Sequence, residues 1–457
     1  MKTNLSRRDF LRMTGAAAAA VAVPGCDIVL KPAAEKKSIK KPNIVLILAD
    51  DLGYGDIGCY GGRHARTPNI DALARRGMKF TDFHSNGPMC SPTRAALLTG
   101  RYQQRAGVET VLGFSKDKSY GMSLAEVTFA EVLKAAGYTT ALFGKWHTGH
   151  LPEFAPTKQG FDMFRGLYGG IDYHSHVNRT GCENWWKNEK LASEEGYVTE
   201  LITRHAQQFI EENKNRPFCL YLPHFAVHFP WQGPKDKADF AVGVDNSSPE
   251  KKYGSRKDKK AAYKEMIESL DAGVGRIITT VKRAGLERNT LVFFASDNGG
   301  HKMVASSGPL SGYKGSLLEG GHRVPAIAYW PGKIKPRSVT HETVMTMDLF
   351  PTMAAAAGAK PPPDVKLDGV NLLGLLLEGK KLPQRTLFWR YKKNGVARAG
   401  PWKLLIRGKN HHLYNLDDDL GEKNDVAAIF PDKVETLKTE FFAWEKEVTD
   451  NVKWVRK

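Results

Sequence analysis

The sequence predicts an α/β fold, a large and mainly parallel sheet sandwiched between helices, with a small C-terminal α+β unit after it. Three observations carry that reading. Apolar, β-branched runs of strand length recur along the chain, amphipathic stretches of helix length separate them, and after residue 380 this alternation gives way to short strands in succession. A strand that is apolar at every position is buried on both faces, as happens in a parallel sheet covered by helices on each side.

Ile44-Val45-Leu46-Ile47-Leu48-Ala49, entered through Pro42-Asn43, is the first such run, and 139–143, 218–222, 291–295 and 326–329 repeat it. Helical periodicity is expected over 69–76, 123–136, 199–213, 260–284 and 346–357. In sheets of this kind the polar residues beyond the strands' C-terminal ends gather in a common crevice. Pro361-Pro362-Pro363 and Gly379-Lys380-Lys381 loosen the pattern. Short strands follow at 386–391, 396–399, 402–406 and 412–415, and an amphipathic helix at 432–448 closes the chain. The expected organisation is an export signal and linker over residues 1–40, a main α/β domain over 41–380 and a small α+β domain over 381–457.

With 457 residues, 41% hydrophobic and 25% charged, the chain has the composition of a soluble globular protein of more than one structural unit. Cys26, Cys59, Cys90, Cys182 and Cys219 lie far apart without a CxxC pair, which argues against a disulfide scaffold and a structural zinc site. The net charge of +18 favours a polyanionic partner, either nucleic acid, an anionic membrane or a sulfated glycan. No nucleic-acid reader motif or interleaved basic and aromatic array is present, so nucleic acid is not expected. Ser6-Arg7-Arg8-Asp9-Phe10-Leu11 precedes an apolar stretch over 14–23. That stretch is about half of the roughly 20 residues a spanning helix needs, so it reads as a twin-arginine export signal and not as a transmembrane helix. The expected location is periplasmic or at the cell surface. Val23-Pro24-Gly25-Cys26 resembles a lipoprotein cleavage site, which makes Cys26 a candidate for a lipid anchor.

Asp50-Asp51 ends the first strand, where adjacent carboxylates repel one another and call for a cation. Asp297-Asn298 repeats the arrangement after the 291–295 run. Together they are hard oxygen donors that suit Ca²⁺ or Mg²⁺ better than zinc, although either pair alone also reads as a turn or helix cap. Cys90-Ser91-Pro92-Thr93-Arg94 leads from a turn into a helix. A thiol there has a lowered pKa and serves as a nucleophile, the alternative being a buried, inert Cys beside a helix-starting Pro.

Cys90, Pro92 and Arg94, followed by Thr99-Gly100-Arg101, are similar to the signature of the type I sulfatases. The resemblance extends through Asp50-Asp51-Leu52-Gly53-Tyr54-Gly55, Gly144-Lys145-Trp146-His147, Ala226-Val227-His228-Phe229-Pro230, Ser296-Asp297-Asn298-Gly299 and Gly312-Tyr313-Lys314-Gly315, with Glu319-Gly320-Gly321 and Arg323-Val324-Pro325 beyond. It implies an alkaline-phosphatase-like sandwich with a small C-terminal domain. It also implies that a maturation enzyme converts Cys90 to formylglycine, whose hydrated aldehyde is the nucleophile.

By the same resemblance Asp50, Asp51, Asp297 and Asn298, together with the converted Cys90, would hold one Ca²⁺, and Asp297 would take the attacking hydroxyl's proton. Lys145 and Lys314 would hold the sulfate oxygens, and Arg94 would steady the metal-bound hydroxyl. His228, assisted by Lys314, would protonate the departing sugar oxygen, and His147 would remove the proton from the remaining hydroxyl. His224 competes with His228 and is the lesser candidate. Taken singly, Lys145 and Lys314 also read as solvated surface charges and His147 as a packed core residue. Thr148 and Leu318 depart from the family pattern and are expected to alter packing or pocket shape.

The stretch containing Asp172, His174 and His176, followed by Trp185-Trp186, looks like the substrate-pocket segment of the N-acetylgalactosamine sulfatases in this family. The expected activity is hydrolysis of a carbohydrate sulfate ester, galactose or N-acetylgalactosamine sulfate from an extracellular polysaccharide. Two alternatives remain: a phosphonate or phosphate ester hydrolase of the same superfamily, and an unconverted glycan-binding protein. The intact Cys90 motif and the lack of a second His/Asp metal constellation weigh against the first of these.

Overall fold

The structure, a computed structural model, describes residues 41–113 and 121–450. The export signal and Cys26 lie outside the described residues. A ten-stranded sheet forms the centre, in the order Ser338–Thr340, Met78–Phe80, Ala326–Tyr329, Thr290–Ser296, Asn43–Ala49, Phe218–Pro223, Thr139–Lys145, Met163–Leu167, Trp186–Lys187 and Lys190–Leu191. From Thr290–Ser296 to Met163–Leu167 neighbouring strands run parallel. Ala326–Tyr329 is antiparallel to both of its neighbours, so the sheet becomes mixed towards its edges.

The apolar run of Asn43–Ala49 shows why the sheet needs two covers. Its side chains alternate between faces, so Ile44, Leu46 and Leu48 enter one hydrophobic core while Val45, Ile47 and Ala49 enter another on the opposite side. The first core is completed by Cys90–Thr99, Phe129–Ala135 and Leu349–Ala356, the second by Pro68–Arg76, Val198–Asn213 and Lys259–Arg283. Asn43–Ala49 has the later strand Phe218–Pro223 on one side and Thr290–Ser296 on the other. Connections leaving a strand in both directions open a crevice beyond the strand C-termini, and the site lies there.

Strand positions agree closely with the expected runs, and two helical spans do not. The helix expected over 123–136 begins only at Phe129, because Thr128 caps it. The Thr128 hydroxyl accepts the Glu131 N–H at 3.2 Å and the Glu131 carboxylate accepts the Thr128 N–H at 2.8 Å, a reciprocal capping box. Likewise, the span expected at 346–357 is a 3₁₀ turn, Thr346–Asp348, followed by the helix Leu349–Ala356.

The C-terminal unit is a four-stranded antiparallel meander, Thr386–Tyr391, Asn394–Ala399, Trp402–Arg407 and Asn410–Asn415, covered by the helix Pro431–Thr449. Trp389, Leu404, Phe441 and Trp444 form its core together with Tyr102, Met345 and Met347 of the larger unit. Buried ion pairs stitch the joint: Arg398 to Asp82 at 2.7 Å, Lys403 to Glu319 at 2.8 Å and Arg323 to Glu319 at 3.2 Å. Cys182 is exposed, Cys219 is buried in its strand, and both are free thiols.

Candidate active site

Four adjacent strands deliver the site. Ala49 is in register with Ser296, so Asp50-Asp51 and Asp297-Asn298 leave the sheet side by side. Lys145 ends the next strand but one and His147 follows it, while His228 comes from the loop after Phe218–Pro223. Gly144 must be glycine, since a Cβ on it would meet the Pro223 carbonyl oxygen at 2.0 Å. Gly299 must be one as well: its Cβ would lie 1.9 Å from the Gly320 carbonyl oxygen, and its N–H donates to Gly321 at 2.9 Å. That close approach pins the Asn298 loop against the Glu319-Gly320-Gly321 turn. Asp51 and His147 both carry left-handed backbone, each at φ 61°, a conformation that non-glycine residues keep only where surrounding contacts enforce it.

Asp50, Asp51, Asp297, Asn298, Arg94 and Lys145 are essentially inaccessible to solvent. Arg94 donates to Asp297 Oδ2 from Nε at 3.1 Å and from Nη2 at 2.7 Å, to Asp50 Oδ2 at 3.2 Å and to the Lys145 carbonyl at 2.8 Å. Lys145 Nζ lies 2.6 Å from Asp50 Oδ2, and Lys314 Nζ 2.5 Å from Asp51 Oδ1. Asn298 Nδ2 donates to Asp51 Oδ1 at 2.8 Å and to the Gly299 carbonyl at 2.9 Å, which fixes the amide's orientation. Asp50 Oδ1, Asp51 Oδ2 and Asn298 Oδ1 are thereby left buried without a hydrogen-bond partner. Polar atoms stranded in this way call for a ligand, and oxygen atoms of carboxylate and amide match a hard divalent cation. Asp50, Cys90 and Asp297 also offer atoms that lie within 4.8 Å of one another.

The electrostatics agree with that reading. Burial pushes the Asp51 carboxyl up to about 6; Lys314 opposes this while Asp50 and Asp297 add to it. Asp297 is raised by burial and then by Asp50. For Asp50 burial acts upward, but Lys145 and Arg94 overcome it and hold the carboxyl below its ordinary range. His147 and His228 are driven well below the usual imidazole range, His147 by burial and Lys145, His228 by burial and the lysines Lys314 and Lys145. Both rings are therefore neutral here. Phe229's carbonyl lies 2.6 Å from His228 Nδ1 and can only accept, so the proton sits on Nδ1 and Nε2 faces Asp51 Oδ2 at 3.8 Å.

Two expectations need correction, concerning the Cys90 thiol and the 172–176 segment. Cys90 opens a helix, but its thiol is raised by burial, with Lys145 and Lys314 pulling the other way and losing; as a thiol it is not activated. Arg94 donates from Nε and Nη2 to Asp297 and Asp50 and from Nη1 to a backbone carbonyl, so in this structure it positions the carboxylates. The substrate-pocket residues expected at 172–176 do not line the cleft. Asp172 is buried and accepts the N–H groups of His174, Ser175, Asp239 and Phe240, His174 Nε2 meets the Gly233 carbonyl at 3.1 Å, and His176 Nε2 meets the Gly196 carbonyl at 2.8 Å. These residues organise the loop from within. Trp185 and Trp186 are turned the same way, donating to Glu194 and Asn184. Thr148 and Leu318 are packed away from the cleft lining.

The cleft itself encloses about 740 Å³, with Cys90, Lys145, His147, His228 and Lys314 among its lining, and His224 is absent from that lining. Sequence reasoning missed its outer wall: Arg179, Phe240, Lys252 and His301, and Tyr391 with Lys392 from the first hairpin of the C-terminal unit. No local motif marks them, because loops distant in sequence bring them there. A third grouping with metal-ligand potential, His84, Glu319 and His322, lies in the joint between units. Lys403 Nζ already fills it, 2.8 Å from Glu319 and 3.3 Å from His322.

Comparison with known proteins agrees with this geometry. The family model described as Sulfatase matches residues 42–359, and that of the twin-arginine translocation pathway signal sequence matches 4–24, so the chain carries an export signal. No helix among the described residues is long and apolar enough to cross a membrane. Human arylsulfatase A (Homo sapiens) is 38% identical, the match covering 90% of this chain and 89% of the relative. The N-acetylgalactosamine-6-sulfatase of Mus musculus is 36% identical over 79% of this chain and 71% of its own. The crystal structure of Ps i-CgsB in complex with k-i-k-neocarrahexaose superposes with a TM-score of 0.82 at 31% identity, covering 92% of this chain and 95% of that one. From the match over most of its length, the chain belongs to the sulfatase family and is a sulfuric ester hydrolase.

Proposed function

We propose that the protein removes sulfate from a carbohydrate, galactose or N-acetylgalactosamine sulfate in an extracellular polysaccharide, after a maturation enzyme has converted Cys90 to formylglycine and one Ca²⁺ has bound. The observation that carries this reading is the trio of buried oxygens without a hydrogen-bond partner, Asp50 Oδ1, Asp51 Oδ2 and Asn298 Oδ1, on residues where Asp50 meets Lys145, Asp51 meets Lys314, and Asp50 lies within metal-ligand reach of Cys90 and Asp297. Asp50, Asp51, Asp297 and Asn298 would hold the ion. When bound, the ion and the aldehyde supply charge neutralisation and an activated oxygen nucleophile in place of a thiol that burial keeps protonated.

The chain's own residues do the rest. Lys145 and Lys314 are point charges at the cleft floor that bind and orient a sulfate group. Arg94 holds Asp297 and Asp50 in place, which leaves Asp297 to receive a proton from the nucleophile. His228 presents Nε2 to the cleft, and an arriving sulfate ester brings the negative charge that favours its protonation, so that it can pass a proton to the departing sugar oxygen. His147, neutral and with a buried, unpartnered Nδ1, is suited to accept a proton when the second bond breaks.

The galacto-configured substrate is supported by likeness to the N-acetylgalactosamine-6-sulfatase and the carrageenan-oligosaccharide complex, since the 172–176 loop no longer speaks for it. The export signal supports a periplasmic or cell-surface location, with Cys26 as the place for a lipid anchor. Protein made with and without a maturation system is assayed for sulfate release from chondroitin, carrageenan and glucosamine sulfate fragments and an aryl sulfate, with phosphate and phosphonate esters as controls. Mass spectrometry follows the peptide ending at Arg94. Formylglycine at Cys90 together with preferential turnover of galacto-configured sulfates is expected. Full activity from an unmodified thiol, or faster turnover of phosphonate esters than of every sulfate, overturns the proposal.

A further inference from the structure

Among the described residues the cleft lining contains no aspartate or glutamate, yet it contains Lys145, Lys314, Arg179, Lys252 and Lys392. These five cations fall into two groups. The two at the floor each face a carboxylate, Lys145 with Asp50 and Lys314 with Asp51. For the outer three, no carboxylate among the described residues lies within ion-pair distance. Asp245 feels Arg179 electrostatically without pairing with it, its carboxylate being taken up chiefly by Ser247. The contrast with neighbouring surface is sharp. Arg256, close to Lys252 in sequence, is held by Glu265 at 2.7 Å and by Asp236 at 3.2 Å, and Arg204 meets Glu194 at 2.6 Å.

Aromatic rings orient two of the outer cations without neutralising them. Lys252 Nζ lies 5.0 Å from the Tyr253 ring centroid and 5.4 Å from that of Phe229, whose ring in turn is 4.1 Å from the ring of His228. Lys252 is thus one ring removed from the group placed beside the departing oxygen. Lys392 sits at the hairpin tip with left-handed backbone, φ 56°, and its Nζ is 5.4 Å from the Tyr391 ring. Like charges gathered in a concave wall raise the local potential and attract an anion, and the floor already accounts for one sulfate.

We infer that Arg179, Lys252 and Lys392 form a subsite for a second anionic group, a sulfate ester or a carboxylate, borne by a sugar adjoining the one desulfated. The inference rests on the reading of this cleft as a carbohydrate sulfatase site. It makes the substrate an oligosaccharide with more than one negative charge, and it gives the C-terminal unit a part in recognition through Lys392.

The test uses the mature, metal-loaded full chain and the variants Arg179→Ala, Lys252→Ala, Lys392→Ala and their triple combination. Affinity is read by competition against turnover of p-nitrocatechol sulfate and, independently, by calorimetric titration. The probes are N-acetylgalactosamine 6-sulfate (one anion), a chondroitin 6-sulfate tetrasaccharide (sulfates and uronates) and a κ-carrageenan tetrasaccharide (sulfates alone). Solvent-facing ion pairs contribute up to about fivefold each, so the triple variant should bind the tetrasaccharides roughly tenfold or more weakly at low salt. The monosaccharide and the aryl sulfate should change less than about twofold in KM and kcat, which also shows that the variants fold. Weakening on both tetrasaccharides assigns a general anion subsite, on carrageenan alone a sulfate subsite and on chondroitin alone a carboxylate subsite. Equal losses on singly and multiply charged probes, or no loss on either, overturn the inference. Absence of aryl sulfate turnover by the mature wild type would instead sink the catalytic reading, while titration would still report on the subsite.

Discussion

Two clusters of buried charge can be compared within this molecule. One is the cleft floor, Asp50, Asp51, Asp297, Arg94, Lys145 and Lys314; the other is the joint between the units, where Asp82 and Glu319 meet Arg323, Arg398 and Lys403. Both take carboxylates out of water, and they are completed differently. In the joint, burial acts upward on Asp82 and Glu319, but Arg398 and Lys403 lead the groups that drive them well below their ordinary range. At the floor, three oxygens stay stranded and Asp51 is pushed up to about 6. A buried charge cluster closed upon itself holds a structure together, whereas one left open marks where something binds.

The sharpest separation comes from Cys90. Cys90→Ala and Cys90→Ser should lower sulfate release by about 10³-fold or more, with melting temperatures within a few degrees of the parent. A variant that retains activity would detach the floor cluster from the chemistry.

The joint should respond in the opposite way. Lys403→Met leaves Glu319 buried without its ammonium and should cost about 3–5 kcal/mol of stability in denaturant titrations, while kcat of the remaining folded protein changes little. Loss of activity without loss of stability would mean that the joint reaches the site through the Gly299–Gly321 contact.

Stripping divalent ions with a chelator should lower the melting temperature of the wild type, because a ligand at 100-fold its Kd stabilises by about 2.7 kcal/mol. Asp51→Asn should remove bound Ca²⁺ in elemental analysis and abolish the response to chelator. Full metal occupancy in active Asp51→Asn protein would break the comparison.

The smallest effect is in pH dependence, where Asp51 at the floor and the pair Asp82 and Glu319 in the joint should show opposite signs. Asp51's folded pKa is raised from 3.8 to about 6, so the metal-free protein is favoured below the unfolded value and loses up to about 3 kcal/mol as pH rises from 4 to 6. Asp82 and Glu319 are depressed, so their contribution is present above their unfolded values and is lost as pH falls below them. The difference in metal-free stability between wild type and Asp51→Asn, followed across that range, isolates the first. A difference that stays flat would show that the stranded oxygen of Asp51 carries no penalty.

Much of this was legible beforehand, for identifiable reasons. A strand buried on both faces has no polar alternation, so 44–49 and 291–295 stood out. Adjacent carboxylates at strand ends are costly enough that Asp50, Asp51 and Asp297 pointed to one another. The late start of the helix expected at 123–136 was also readable, since Thr128 and Glu131 have the spacing of a capping box. By contrast, nothing in the order of residues showed that Asp172, His174 and His176 would turn inward, because each is captured by backbone groups supplied from separate loops.

By itself, then, the sequence determined the layered α/β architecture and the donor set at the strand ends, since hydrophobic period and charge repulsion act over a few neighbouring residues. Only the tertiary structure decided which polar groups would be satisfied and which left open. It turned the 172–176 loop inward, tied Arg94 to Asp50 and Asp297, raised the Cys90 thiol and brought Lys392 from the C-terminal hairpin into one cleft lining with Lys252 and Arg179. Burial and hydrogen-bond partnership are properties of position in space, and the chain's local pattern does not encode them.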